Sequence, residues 1–458
     1  MTETGKLSSI FASPAGVAVL AALAVLLFYL GITDAAVPVF VFMLLFGTAL
    51  FWKLRALKHL SAAASADCTA VFLGERITLS CTAENRKLLP LIWLELLFPL
   101  GASPPIVPER PEDLKPLAVD GRNGTAEVPA ACGRVSWLLW FQSADLEIPM
   151  KAARRGILTV SIVTAASGDG FGLGVSKKRF PLETPLEFCV YPGLLPVSAD
   201  ILLKNITDTE SGRGGYLDDV TLLRMTRAYQ PGDPAKALNW RELAGKGRLE
   251  TNLYETIFPR LITFLFDAPS FGHPEEKDNT IEGPRMEWVC EDDAFEDALS
   301  LTASCVLSLS SRSASCGLIL PGSEGRDGAA RKESVLLFPG REESADLSIL
   351  YALAAFSYDG TPARFPFEAL FSAGPQAGTI CVITESAARM TIPEELLARC
   401  GRAVVIARNA SEKDAQLSLP LVLRSRLVTG EEDDPVTGEE GDPAAEEEDI
   451  PVMRKEGK

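Results

Sequence analysis

Histidine is almost missing from this chain. Only His59 and His273 occur in 458 residues, which argues against a zinc site and against Ser-His or Cys-His nucleophilic catalysis. No Cys-x-x-Cys pair is present. The nine cysteines are scattered from Cys68 to Cys400, so they read as buried reduced thiols and not as a disulfide framework. No Gly-Lys-Ser/Thr follows the Gly-rich runs "SGDGFGLGVSKKRF" (167–180) or "AGKG" (244–247), which argues against a P-loop. Positive charge is in deficit, with a formal net charge of −17 at pH 7. About half of that imbalance is local, because residues 428–458 hold twelve acidic and three basic residues, a net of −9. The remainder is only mildly acidic, and nucleic acid is not an expected partner.

What is present begins with two uncharged stretches, "PAGVAVLAALAVLLFYLGIT" (14–33) and "AAVPVFVFMLLFGTALFW" (35–52), separated by Asp34. Together they predict a transmembrane helical hairpin within residues 1–60, with spans at about 14–33 and 35–54. Pro38 lies near the start of the second span, where a helix tolerates it. Lys6 precedes the first span, and Lys53, Arg55 and Lys58 follow the second. The positive-inside rule then places both termini and the large domains in the cytoplasm, as a multi-pass protein of the plasma membrane.

Residues 61–200 alternate in short apolar runs such as "CTAVFLGERITLSC", "LIWLELLFP" and "RGILTVSIVTAAS". This period of two predicts an antiparallel β-sandwich-like domain. From 261 to 410 the rhythm changes. Continuous apolar strands ("RLITFLFD", "CGLILP", "SVLLFP", "GTICVIT", "RAVVIAR") alternate with helical stretches at 291–312, 344–358 and 393–400, predicting an α/β domain with a doubly wound, mostly parallel sheet. Such sheets take ligands at the carboxyl ends of their strands, where Asp267 and Glu385 fall. The arrangement is similar to a von Willebrand factor A domain, in which an Asp-x-Ser-x-Ser loop binds a divalent cation. Here the loop reads "DAPSFG", with Pro269 and Phe271 in place of the two serines. Asp267 and Glu385 are therefore the weak metal candidates, and no cofactor is expected. Residues 411–458 repeat "VTGEEDDP" and "VTGEEGDP", which predicts an acidic disordered tail that solubilises the chain or docks a basic partner.

Between the two domains, in the segment 201–260, lies "RMTRAYQPGDPAKALNWRELAGKGRLE" (224–250). Pro231-Gly232 suits a tight turn with a positive φ at the glycine. Asp233 and Pro234 suit an N-cap and first turn, predicting a helix through "PAKALNWREL" that Gly245 or Gly247 can stop. Ala237, Trp240 and Ala244 share a face that is expected to pack down. Six basic residues face two acidic ones over 224–248.

Arg227, Tyr229, Gly232, Asp233, Lys236, Leu238, Trp240 and Arg241 resemble the signature of the family called domain of unknown function 58 (DUF58). "GFGLG" (170–174) and "VYPGL" (190–194) resemble two further elements of it. The resemblance implies a membrane-anchored, non-enzymatic scaffold or adaptor. Its implied partners are a MoxR-type AAA+ ATPase and a transglutaminase-like membrane protein. Arg227, Tyr229, Gly232, Asp233, Lys236, Trp240 and Arg241 are then a binding surface or an interdomain clasp, with no catalytic residue. Two alternatives remain: a hydrolase or transferase on an anionic substrate, using Asp233 or Asp267 with the arginines, and a sensor of anionic lipid.

Overall fold

A computed structural model describes residues 13–429, apart from 122–123, 169–174, 211–216, 234, 258–260, 280–282, 291, 324–332, 341–343, 359–362, 374–377, 400–401 and 413. The tail from residue 430 onward and the whole of "GFGLG" (170–174) lie outside the described residues.

One helix near the N-terminus, Thr33–Arg55, is long and apolar enough to cross a membrane. Its 23 residues rise about 35 Å against a hydrocarbon thickness of about 30 Å. The helix Pro14–Tyr29, capped by the Ser13 hydroxyl, has 16 residues and falls short of that thickness. The first of the two expected spans is thus shorter than its uncharged run. The chain leaves the helix after Leu30 and turns at Gly31. The C-terminal end of Thr33–Arg55 is rooted in protein. Ala56, Leu57 and Leu60 are buried in the core of the domain that follows, and Trp52 packs against it.

That domain is built from two sheets. Strands Leu60–Ala66, Arg76–Asn85, Ser143–Ala152 and Ile106–Pro108 make a four-stranded antiparallel sheet in this order. The six-stranded sheet runs Ala70–Phe72, Val175–Tyr191, Gly156–Gly168, Leu91–Pro99, Gly124–Leu138, Leu114–Gly121. It is antiparallel except for the pairing of its first two members. Ile77, Leu79, Ile148 and Met150 from the smaller sheet share one core with Leu94, Leu96, Phe98 and Val163 from the larger. The alternation read from the sequence is the alternation of these inner faces.

The last domain holds a six-stranded sheet in the order Val335–Leu337, Ser315–Leu320, Leu261–Phe266, Thr379–Thr384, Ala403–Ala407, Leu421–Leu423. All neighbours are parallel except at the Val335–Leu337 edge. Its strands are apolar throughout because both faces are covered. Phe264, Phe266, Cys381, Ile383, Val404 and Ile406 join one core with the helices Asp292–Ser310 and Ala345–Ala355. Leu265, Ile380, Val382 and Ala403 face the opposite side, with Leu370 and Leu397 from the helices Phe367–Ala373 and Glu394–Arg399. Gly378 opens the strand Thr379–Thr384 at φ +68°, where a Cβ would lie 2.0 Å from the Leu261 carbonyl oxygen.

The sequence boundaries need two corrections. The strand Leu421–Leu423 and the helix Arg424–Thr429 belong to this sheet and its core, so ordered chain extends past the expected start of the tail at 411. The helix Ala199–Glu210, assigned to the intervening segment, packs Leu202 and Ile206 into the same core. Two antiparallel hairpins form further units: Leu217–Ala228 with Glu250–Ile257, whose second strand the alternation of "RLETNLYE" (248–255) marks, and Gly272–Asn279 with Gly283–Cys290.

Candidate functional site

The family-like segment sits on the hairpin Leu217–Ala228/Glu250–Ile257. Gly232 turns the chain at φ +112°. Asp233 does not begin a helix. Its Oδ2 accepts from the Gln230 N–H at 3.0 Å and from the Thr251 hydroxyl at 3.0 Å, and its Oδ1 accepts from Arg227 Nη2 at 2.7 Å. The Gln230 amide, Thr251 hydroxyl and Arg227 guanidinium together hold the Asp233 carboxyl below its ordinary range. A short 3₁₀ turn, Ala235–Ala237, follows. The α-helix starts only at Trp240, capped by the Asn239 side chain, and ends at Lys246 with Gly247 in the left-handed conformation. Asn239 wins the cap because Asp233 is already spent on Arg227 and Thr251.

This start corrects the expected packing face. Trp240 is 59% exposed, and Ala244 is exposed beside it. Lys236 and Arg241 are also exposed, and Tyr229 contributes its backbone N–H to the Leu249 carbonyl. Leu223, Met225, Tyr229 and Leu249 add exposed apolar surface on the same hairpin and its turn.

The contact expected of an interdomain clasp is made by Arg155, which stands just before the strand Gly156–Gly168 and shows in the sequence only as the start of a strand. Its side chain is nearly buried and pairs in a fork with Glu296 of the helix Asp292–Ser310, at 3.0 and 2.8 Å. Its Nη1 donates to the carbonyls of Leu353, Ala354 and Phe356, which close the helix Ala345–Ala355. Tyr351 adds a hydroxyl bond to Glu187 at 3.0 Å. Arg155 borders a cleft of about 430 Å³ between the domains, with Arg154, Asp292 and Tyr358. The signal that could have found it, a charge opening an apolar strand, is common in strands and names no partner.

Asp267 and Glu385 stand at the carboxyl ends of neighbouring parallel strands. Ser270 joins them: its hydroxyl donates to the Asp267 carbonyl at 2.7 Å and accepts from the Glu385 N–H at 3.0 Å. The Asp267 carboxylate is fully buried and accepts from both the N–H and the hydroxyl of Thr391. Burial pushes its pKa up to about 6, against the lowering effect of the Thr391 bonds. Glu385 Oε1 accepts from Asn409 at 2.8 Å, and Oε2 lies 3.7 Å from Arg389. The two candidate residues thus stand on neighbouring strand ends, but donors of the chain itself occupy both carboxylates. No group of three or more His, Cys, Asp or Glu side chains arranged to hold a metal ion occurs among the described residues.

No family's sequence profile matches the chain. The chain is 25% identical over 369 residues to the uncharacterized protein YeaD of Bacillus subtilis, spanning 80% of this chain and 79% of that protein. Among solved structures it is similar to AvmM, which catalyzes macrocyclization in alchivemycin A biosynthesis. That match has 12% identity, a TM-score of 0.18, and covers 28% of this chain and 89% of that one. A cohesin module from a Clostridium perfringens family 33 glycoside hydrolase matches at 16% identity and a TM-score of 0.17, covering 28% of this chain and 98% of that one. At these scores neither likeness carries an argument about fold or activity.

Proposed function

We propose that this chain is a membrane-anchored, non-enzymatic scaffold of the domain of unknown function 58 type, which binds protein partners through the hairpin that carries the signature. In this reading Pro14–Tyr29 and Thr33–Arg55 form a membrane hairpin, both termini and the large domains are cytoplasmic, and the parallel-sheet domain is von Willebrand factor A-like. The observation that carries the proposal is the surface of the hairpin. Leu223, Met225, Tyr229, Trp240 and Leu249 are exposed among Lys236, Arg241 and Lys246, while the Arg227–Asp233–Thr251 network fixes the turn beneath them. Aromatic and apolar side chains ringed by cations suit a partner surface that is apolar at its centre and acidic at its rim. A two-stranded hairpin is also only marginally stable alone, so it gains from being covered.

A hydrolase using Asp233 is less well supported. Its carboxyl is held low and engaged on both oxygens, which suits an anchor better than a general acid or base working near neutral pH.

The resemblance names a MoxR-type AAA+ ATPase and a transglutaminase-like membrane protein as candidate partners. Crosslinking mass spectrometry in native membranes tests this. Crosslinks from Lys236 or Lys246 to such an ATPase are expected, and they are expected to disappear in the double variant Trp240→Ala, Arg241→Glu. Crosslinks that persist in that variant would remove the hairpin from the contact and end this reading.

A further inference from the structure

A second apolar surface lies far from the hairpin in sequence. The end of the strand Gly124–Leu138 and the turn from it to Ser143–Ala152 present Trp137, Trp140 and Phe141 with 61%, 56% and 68% of their surface exposed, and Leu139 is exposed with them. Leu88, on the loop between Arg76–Asn85 and Leu91–Pro99, is 77% exposed. Large apolar side chains left in water forgo roughly 1.5–3 kcal/mol each.

The backbone beneath them is also strained. Trp137 sits at φ +70°, Phe141 at +51° and His59 at +53°, a region that bulky side chains rarely adopt. These are three of the four non-glycine residues with positive φ among the described residues. Strain held at one spot together with unburied aromatics marks a surface kept for contact.

The position of this turn decides what covers it. Leu60 begins its strand five residues after the end of the helix Thr33–Arg55 and pairs with Asn85. The Asn85 side chain is buried and donates to the carbonyls of Leu139 and Leu89, and its N–H donates to Gln142. The Arg86 N–H donates to the His59 carbonyl. One asparagine therefore ties the aromatic turn to the Leu88 loop, and the next residue ties that loop to the exit of the helix. Leu138 lies in the same core as Ala56 and Leu57. Charge agrees with the position. Within residues 52–60, 84–89 and 137–143 the cations are Lys53, Arg55, Lys58, Arg86 and Lys87, against Glu84 alone, which is paired to Arg86.

We propose that the turn Trp137–Phe141, with Leu88, is a second membrane contact: it sits in the interfacial zone of the bilayer beside the end of the helix, its basic rim on anionic headgroups. Trp rings, apolar but with an N–H that can stay wet, suit that zone; Phe141 and Leu88 suit its acyl-facing side, and the cations suit its anionic face. The contact gives the sandwich a second point of attachment to the membrane plane, beside the end of Thr33–Arg55, and so fixes its tilt. The inference rests on the reading that Thr33–Arg55 crosses the bilayer.

The test uses the full chain in vesicles of phosphatidylglycerol and brominated phosphatidylcholine, with tryptophan fluorescence as the readout. Trp52, on the helix itself, reports insertion. Brominated lipid is expected to quench the wild type. It is also expected to quench the Trp52→Phe variant, and to lose that remaining quenching when Trp137→Phe and Trp140→Phe are added. The phenylalanines keep aromatic bulk, and an unchanged circular dichroism spectrum verifies the fold. Quenching that depends on Trp52 alone would overturn the second contact and leave the helix reading standing. No quenching of any variant would overturn both. Trp137 and Trp140 unquenched by lipid yet shielded from aqueous acrylamide would assign the turn to a protein neighbour and also overturn the proposal.

Discussion

Asp267 is a fully buried carboxylate with two donors, both from Thr391. Its folded-state pKa of about 6 lies above the ordinary value of 3.8 because burial disfavours the charge. The folded state therefore holds this proton more tightly than the unfolded chain does. The stabilisation is complete below about pH 4 and is lost as pH rises through about 6, on the order of 3 kcal/mol in all. An asparagine side chain at this position could keep both contacts, accepting from the Thr391 N–H and donating to its hydroxyl. Asp267→Asn is thus expected to flatten the stability profile between pH 4 and 7 in urea titrations of the detergent-solubilised chain. A variant whose profile still falls across that window would place the titration elsewhere. The strand-end position of Asp267 was legible in the sequence, since an acidic residue closes a continuous apolar run. Its partner was not. Thr391 lies 124 residues away, and no local pattern marks a threonine for that duty. Ser270 shows the same limit: it falls between the two positions where a cation loop needs hydroxyls, and its own hydroxyl is spent holding Glu385.

Elements were more legible than partners. The strands of the last domain read as unbroken apolar runs because both faces are buried, and the sandwich strands alternate because one face of each is. Reading failed where two local rules competed. Asp-Pro after Gly is a good helix start, yet Asp233 serves the turn through Gln230, Thr251 and Arg227, and Asn239 caps a helix six residues later. That shift carries Trp240 from an expected packing position to the first, exposed turn. Trp240→Ala is accordingly expected to move the melting temperature by no more than about 1 °C, as surface substitutions away from caps and cores do. The contrast is Asp233→Ala, which removes the acceptor of three bonds and is expected to lower it by several degrees. A large drop for Trp240→Ala in differential scanning calorimetry would mean that the ring is covered, and would restore the interdomain clasp at this helix. The short strand Leu421–Leu423 escapes for another reason: three residues before an acidic tail carry too little period to outweigh the composition around them.

At the scale of the molecule the question is what makes two domains move as one. Apolar contact contributes, since Cys189 and Tyr191 of the sandwich lie in the core of the sheet domain. Direction comes from Arg155. A planar guanidinium matches the Glu296 carboxylate with two donors and leaves the others for the carbonyls that end the helix Ala345–Ala355. Those carbonyls have no partner within their own helix and sit at its negative pole, so a cation satisfies them twice over. Glu296 is nearly half exposed, and solvent screens its share of the pair. The carbonyl bonds lie under cover and cannot be replaced so easily. Three substitutions separate these parts. Arg155→Ala strips donors from all four groups and is expected to cost on the order of 3 kcal/mol. Arg155→Lys keeps the charge but not the fork, and should fall between. Glu296→Gln leaves the carbonyl bonds in place and should cost no more than about 1 kcal/mol. Calorimetry on the full chain in detergent reads the order directly. If Glu296→Gln proved as costly as Arg155→Ala, the joint would be an exposed ion pair, and closure of the helix by an arginine from the neighbouring domain would count for nothing.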